Sequence, residues 1–249
     1  MEIILTHDVD SILQPISHVL KRRKRFKIKD IVLHALKLRN LYNNIEDILA
    51  LEDSYGFRST FFIPVALFPL DAIEDVLKEM VKNGWEVALH FVVEKCQLKS
   101  LIILEKEMLE NLIGNIYGVR THMLTVSDHI LSLYREAGFL YDSSYRVEEV
   151  GKYDVYRLNN GLIEVPIAIM DADLFGRLKM NEEKAWRYIL DKMDKAEKSD
   201  IRFFTILFHQ ESFKMKGGRL YKRLVRYIGE KEYEVLRCID AVKRWNGSV

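Results

Sequence analysis

Cysteine is nearly absent from this chain: 249 residues contain two, Cys96 and Cys238. So far apart, they make no metal-ligand pair and no disulfide framework, and their scarcity suits a reducing compartment. No stretch rich in Gly, Ser and Pro divides the sequence, and no repeat or low-complexity tract is visible, so a single domain is expected over 1–249. No basic segment followed by an apolar one precedes the first apolar run, which argues against a secretory leader. The longest apolar stretch, 61–70, is interrupted by Pro64 and Pro69 and is too short to span a bilayer. The expectation is a soluble, cytoplasmic protein with no membrane span. An excess charge of one sign is also missing, since the net charge is +1, so nothing steers the whole molecule toward nucleic acid. There is no Gly-rich phosphate loop and no Gly-x-Ser-x-Gly elbow, which argues against nucleotide or serine-hydrolase chemistry. Glutamine is scarce while charged residues make up 30%, a composition that leans toward thermophile proteins.

Hydrophobic residues make up 49% of the chain, enough for one large core. They fall into short apolar runs that end in polar, titratable residues. Ile3-Ile4-Leu5-Thr6 runs into His7, Asp8 and Asp10, and Val87-Ala88-Leu89 into His90. The run at 116–119 leads to Arg120 and His122, that at 139–141 to Asp142, that at 165–170 to Asp171, and that at 203–208 to His209. Helical patterns separate the runs, so strands and helices alternate. Strands are expected over 3–6, 58–63, 86–89, 116–119, 139–141, 162–170 and 203–208, with a hairpin at Asn159-Asn160-Gly161 feeding the sixth. Asp71 and Ser127 are expected to cap helices, and Gly84 and Gly138 to stop them. A helical excursion occupies about 11–44, and helical segments broken near Gly229 close the chain. The predicted fold class is α/β, a distorted or incompletely closed (β/α)7 barrel in a single domain. In such a barrel the C-terminal strand ends converge on one face and hold the chemistry.

At the first strand end, a period of two puts Asp8 and Asp10 on one side of the chain. Two neighbouring carboxylates repel unless a cation or proton lies between them. A divalent metal resolves this if one Asp ligates and the other stays free as a base; the competing reading is a simple Asp turn. His90 at the same barrel end supports a metal site. Glu94, one helical turn on, either pairs with His90 or is merely a first-turn acid of the next helix. Arg120 within reach of Asp8 would keep that carboxylate ionised. His209 suits proton transfer near neutral pH. His122, Asp142 and Asp171 are candidate substrate contacts, though Asp142 before Ser143-Ser144 also fits an Asx turn. His7 should point away from Asp8 in a regular strand, and His18, His34 and His129 receive no role. The basic run Lys21-Arg22-Arg23-Lys24-Arg25 reads as a solvated face, with contact to an anionic substrate the less common alternative.

In these motifs the chain resembles the polysaccharide deacetylase superfamily, from Thr6 to about Phe213. Thr6-His7-Asp8-Val9-Asp10 is similar to that family's first motif, and Tyr55-Gly56-Phe57-Arg58-Ser59-Thr60-Phe61-Phe62 to its second strand region. Glu86-Val87-Ala88-Leu89-His90 resembles its histidine motif and Gly118-Val119-Arg120-Thr121-His122 its arginine motif. Tyr141-Asp142-Ser143-Ser144 and Leu207-Phe208-His209 resemble two further markers. The resemblance implies a distorted seven-unit β/α barrel, with Asp8 as general base, Asp10 and His90 as metal ligands, Arg120 positioning Asp8, and His209 as general acid. The family usually has a second histidine four residues after the first, where this chain has Glu94. Either Glu94 completes an Asp10–His90–Glu94 set, or the metal is weakly held or lost.

The resemblance further implies a metal-dependent amidohydrolase, with zinc the expected divalent metal, that removes an N-acyl group, acetyl first, from a sugar or glycan intermediate. Alternatives are a catalytically decayed carbohydrate-binding relative and a hydrolase of a non-sugar C–N bond.

Overall fold

The computed structural model describes residues 1–93 and 98–246. Its centre is a curled, almost wholly parallel sheet. The strands are β1 (Glu2–Asp8), β2 (Thr60–Ile63), β3 (Glu86–Phe91), β4 (Gly118–Thr121), β5 (Tyr141–Asp142), β6 (Tyr156–Arg157), β7 (Ile163–Glu164), β8 (Ile167–Met170), β9 (Phe203–Leu207) and β10 (Val235–Leu236). They run in the order β6-β7-β5-β4-β3-β2-β1-β9-β8, with β10 paired to β1 and only β6 against β7 antiparallel. Helices lie between them: α1 (Ile16–Lys21), α2 (Ile28–Ala35), α3 (Ile45–Asp53), α4 (Glu74–Lys82), α5 (Leu98–Ile113), α6 (Asp128–Glu136), α7 (Val147–Val150), α8 (Glu182–Lys198), α9 (Lys216–Glu230) and α10 (Cys238–Asn246).

The sheet's own connectivity makes it curl. β7 pairs with β5 at one edge and β8 pairs with β9 at the other, yet Val165 and Pro166 alone separate β7 from β8 in the chain. Two residues cannot cross the width of a flat sheet, so the two edges must approach. A parallel bridge between Arg146 and Ile167 joins them, with Ile167 N–H donating to Tyr145 O at 2.8 Å. The sixth expected strand is therefore two short strands at opposite edges of the sheet. Pro166 between them donates no backbone hydrogen bond.

Alternation along β1 separates two cores. Ile3 and Leu5 belong to the layer between sheet and helices, whereas Ile4 faces the barrel interior with Phe62, Ala88, Phe203 and residues of α10. Helix α10 thus plugs the N-terminal end of the barrel, where the Glu86 carboxylate accepts from Thr60 Oγ1, Tyr141 OH and the Ile239 backbone N–H. His7 points outward, as strand alternation requires, and its Nε2 donates to the buried Glu52 carboxylate of α3 at 2.9 Å. Glu52 also accepts from Ser59, Trp85 and Tyr221. Burial pushes the Glu52 carboxyl up, but these hydrogen bonds outweigh it and hold its pKa below the usual value.

Ser127 caps α6 as expected, its hydroxyl accepting from Ile130 N–H. Asp71 instead lies in a 3-10 turn ahead of α4 and makes no side-chain cap. Gly229 is inside α9, and the helix stops at Lys231; β10, too short to show a period, separates α9 from α10. The 11–44 excursion contains α1 and α2 and is tied back by Gln210, whose Nε2 donates to Ser11 O and Tyr42 O while its Oε1 accepts from Asn44 N–H.

Gly118 opens β4 where the Tyr141 ring closes in: a Cβ there would lie 1.9 Å from Tyr141 Cζ. Tyr141 is fully buried and fixed to Glu86, so it cannot swing away. Gly118→Ala is expected to cost about 1–3 kcal/mol, measured by urea denaturation; an unchanged midpoint would show that the ring yields.

Candidate metal centre and active site

The C-terminal ends of β1, β3, β4, β8 and β9 bring seven of the expected residues together: Asp8, Asp10, His90, Arg120, His122, Asp171 and His209. Arg120 is the deepest, with no exposure at all. From β4 its guanidinium reaches across the barrel over the Phe62 ring, 3.9 Å from its centroid. It donates to Asp8 Oδ1 at 2.7 Å and Thr6 Oγ1 at 3.1 Å on β1, and to Ser143 O and Oγ, each at 2.7 Å, beyond β5. Burial pushes the Asp8 carboxyl up, but the charge of Arg120, then of His90 and His209, outweighs it and holds the pKa below the ordinary value. Asp8 is therefore an anion with one oxygen tied down. Its other oxygen, Oδ2, lies 3.9 Å from His90 Nε2 and 4.0 Å from His209 Nε2.

Asp10 sits nearer the surface. Its Oδ1 is 3.1 Å from His90 Nε2 and 3.3 Å from His122 Nδ1, and those two nitrogens are 3.1 Å apart. Burial raises the Asp10 pKa, but the contacts with His122 and His90 lower it further, so it too is anionic. His90 Nδ1 faces the Arg120 carbonyl at 3.2 Å, an acceptor only, so Nδ1 donates there and Nε2 is the nitrogen turned to Asp10. A divalent cation that displaced the proton shared by Nε2 and Asp10 Oδ1 would find two donors already aimed at it. The three donor separations also match the edge of about 3.3 Å that ligands at 2.0–2.1 Å make around a tetrahedral ion. A backbone carbonyl holding the far nitrogen of a ligating histidine is the usual outer support. The residues thus fit a divalent metal.

This triangle changes the expected ligand set. Asp10 and His90 are in it, and the third donor among the described residues is His122, expected as a substrate contact. Glu94 lies outside the described residues. His122 turns inward because the chain leaves β4 sharply, with Met123 at φ 60° immediately after it. The hydrogen bond that His122 donates to the Asp10 carboxylate raises the His122 pKa.

His209 faces the triangle from β9. Its Nδ1 contacts Asp171 Oδ1 at 2.6 Å, leaving Nε2 toward the site, 3.8 Å from Asp10 Oδ2. Burial lowers the His209 pKa, but Asp171 more than reverses this and leaves it well above the ordinary value. Asp171, expected as a substrate contact, is this histidine's hydrogen-bond partner. It is held in turn by the Ser212 hydroxyl at 2.6 Å, and the approach depends on Gly217, where a Cβ would lie 2.3 Å from Ser212 Oγ. Asp142, also expected as a substrate contact, is completely buried, accepts from Ser144 Oγ at 2.7 Å, and stands in register with buried Glu164. Burial pushes its pKa up to about 6.

Ser212, Thr6, Ser143 and Glu211 are site residues that sequence reasoning did not single out. Glu211 Oε2 has no hydrogen-bond partner among the described residues, and burial pushes its carboxyl up to about 8. Only its place two residues after His209 hinted at it.

No protein-family model and no curated protein matches the sequence. Solved structures do match. A Mycobacterium smegmatis protein assigned as a polysaccharide deacetylase superposes with a TM-score of 0.72 at 18% identity, over 99% of this chain and 90% of that one. The chain has the polysaccharide deacetylase fold. A Puue allantoinase shares it, with a TM-score of 0.71 at 17% identity over 99% and 89% of the two chains. So does a mutant of BA3943, a pseudoenzyme with restored enzymatic activity, with a TM-score of 0.57 at 11% identity over 97% and 67%. The path β5-β4-β3-β2-β1-β9-β8 holds seven parallel strands, as a seven-unit barrel requires, with the short β7 and β10 added in parallel beside β5 and β1. No described helix is long and apolar enough to cross a membrane.

The triangle predicts that the purified protein takes up one divalent cation. His90→Ala and His122→Ala are each expected to weaken that binding by more than about a hundredfold, with Glu94→Ala weaker in effect than either, as read by calorimetry and elemental analysis. Full retention of the cation by His122→Ala would remove it from the ligand set.

Proposed function

We infer that the protein is a metal-dependent hydrolase that removes an N-acyl group, acetyl first, from an acylated sugar or glycan intermediate. The observation that carries this reading is a spare carboxylate oxygen, Asp8 Oδ2, 4.0 Å from a braced histidine nitrogen, His209 Nε2, both beside the Asp10–His90–His122 triangle. A divalent cation, zinc being the expected one, supplies Lewis acidity toward a carbonyl and makes nearby water more acidic.

The remaining work falls to the chain's own side chains. Arg120 fixes Asp8 Oδ1, so Oδ2 takes the proton of the attacking water. Asp171 holds Nδ1–H of His209, so the imidazolium can deliver its Nε2 proton to the departing nitrogen. The acyl C–N bond breaks as the new C–O bond forms, and the products are a carboxylic acid and a free amine. The 4.0 Å between Asp8 Oδ2 and His209 Nε2 is close enough for one water to return the proton between turnovers.

A second reading is supported by the equally good superposition on an allantoinase: opening of a non-sugar C–N bond uses the same base, acid and cation. A panel of acylated sugars and cyclic amides, scored for released acetate or ring opening, distinguishes the two. The decayed alternative finds less support, since a binding module has no chemical need for the Asp8–Arg120 pair or the Asp171–His209 pair.

Asp8→Asn should lower turnover by about a thousandfold or more while cation content is kept; wild-type turnover by this variant would dismiss the base assignment. In the pH–rate profile, activity is lost on the acid side as Asp8 is protonated and on the alkaline side as His209 loses its proton. Asp171 raises the His209 pKa, so Asp171→Asn should move the alkaline limb to lower pH. An unmoved limb would mean that another group sets it.

A further inference from the structure

The 11–44 excursion carries two features that the proposed reaction does not use. The first is charge. The run 21–25, with Lys27, Lys29, Lys37 and Arg39, gives nine basic side chains against one acid, Asp30, a net of +8 in a chain whose total is +1. All nine are exposed. Among the described residues only Arg39 has an ion-pair partner, Asp30 at 2.6 Å. The second is exposed aliphatic surface. Ile28 and Val32 of α2 and Leu36, which ends it, recur every fourth residue and so form one ridge, at 82%, 50% and 61% exposure, and Leu13, Leu20 and Leu38 of the same excursion are exposed too. The ridge is not the helix's packing face. That role falls to Ile31, which packs on the small cluster of Val19, Phe26, Leu41, Tyr42 and Met215.

An exposed apolar ridge set among unpaired cations needs a partner that is apolar inside and anionic at its surface. A bilayer containing anionic phospholipid is both. A nucleic acid offers the anions without the apolar phase, and the aromatic residues that would stack on bases, Phe26 and Tyr42, are buried. The excursion leaves the C-terminal end of β1 and is anchored beside the site by Gln210, so the patch lies on the same end of the barrel as Asp10.

We propose that residues 11–44 dock the protein on the surface of an anionic phospholipid bilayer, with the Ile28–Val32–Leu36 ridge entering the headgroup region and the basic residues facing the phosphates. Binding is peripheral and does not require the reaction proposed above.

The test is co-sedimentation with vesicles of phosphatidylcholine alone and of phosphatidylcholine mixed equally with phosphatidylglycerol. Wild-type protein is expected to pellet with the mixed vesicles, less so as salt rises, and to ignore the neutral ones. The triple variant Ile28→Ser/Val32→Ser/Leu36→Ser and the charge variant Arg22→Glu/Arg23→Glu/Arg25→Glu should each lose about tenfold or more of the binding. Their circular dichroism and cation content should stay as in the wild type. Ile28→Glu, a single change at the most exposed position, serves if the triple variant fails to fold. Three results overturn the proposal: no binding to mixed vesicles; binding that the charge variant loses and the apolar variants keep, alongside equal capture by soluble heparin, which marks a polyanion site; or a concentration-dependent dimer, abolished by the apolar variants, without vesicle binding.

Discussion

The Asp8–Arg120 ion pair is the contact on which the rest of the site depends. Arg120 carries a full charge into a place with no exposure, which is tolerable only because its donors meet Asp8, Thr6 and Ser143 and its flat face lies on Phe62. Removing one partner of such a pair leaves an uncompensated buried charge. The same contact sets the chemistry. It neutralises one of two neighbouring carboxylates, so Asp8 and Asp10 can both stay ionised a few ångströms apart. It also orients Asp8 so that one oxygen is committed and the other is free.

Around that pair, each functional group has a support facing away from the site. The Arg120 carbonyl holds His90, Asp171 holds His209, and Ser212 holds Asp171. The Arg120 carbonyl belongs to β4 itself, whereas Asp171 and Ser212 come from turns just beyond β8 and β9. On the opposite face of β1 and β9, His7 bridges Glu52 and the Phe208 carbonyl, tying together the strands from which Asp8 and His209 emerge.

Much of this was legible in the chain because a strand end is a local signal. An apolar run that stops at a titratable residue fixes both the element and the face. That logic reaches Asp8, Asp10, His90, Arg120 and His209 without any knowledge of packing. It fails where a side chain's role depends on the direction of a loop. His122 and Asp171 were visible as polar residues past strands, but only the sharp turn at Met123 and the Gly217–Ser212 approach decide that one joins the cation triangle and the other braces a histidine. The split of the sixth strand was hidden for a similar reason: 162–170 has the hydrophobicity of one strand, and nothing local says that its halves belong to opposite edges. Asp142 looked like a site residue because it ends a strand, yet the sheet's curl closes over it.

The plug formed by α10 has a consequence for how the polypeptide is made. β1 leaves the ribosome long before β9 and β10, to which it hydrogen-bonds from some two hundred residues upstream, and the interior around Ile4 is filled by α10. At typical elongation rates the nascent strand waits on the order of tens of seconds for those partners. Such long-range closure slows the final step and leaves apolar strand faces open in the meantime. The growing chain therefore has its greatest need of chaperone cover before residue 246 emerges, when most helices can already form but the barrel cannot yet be stoppered.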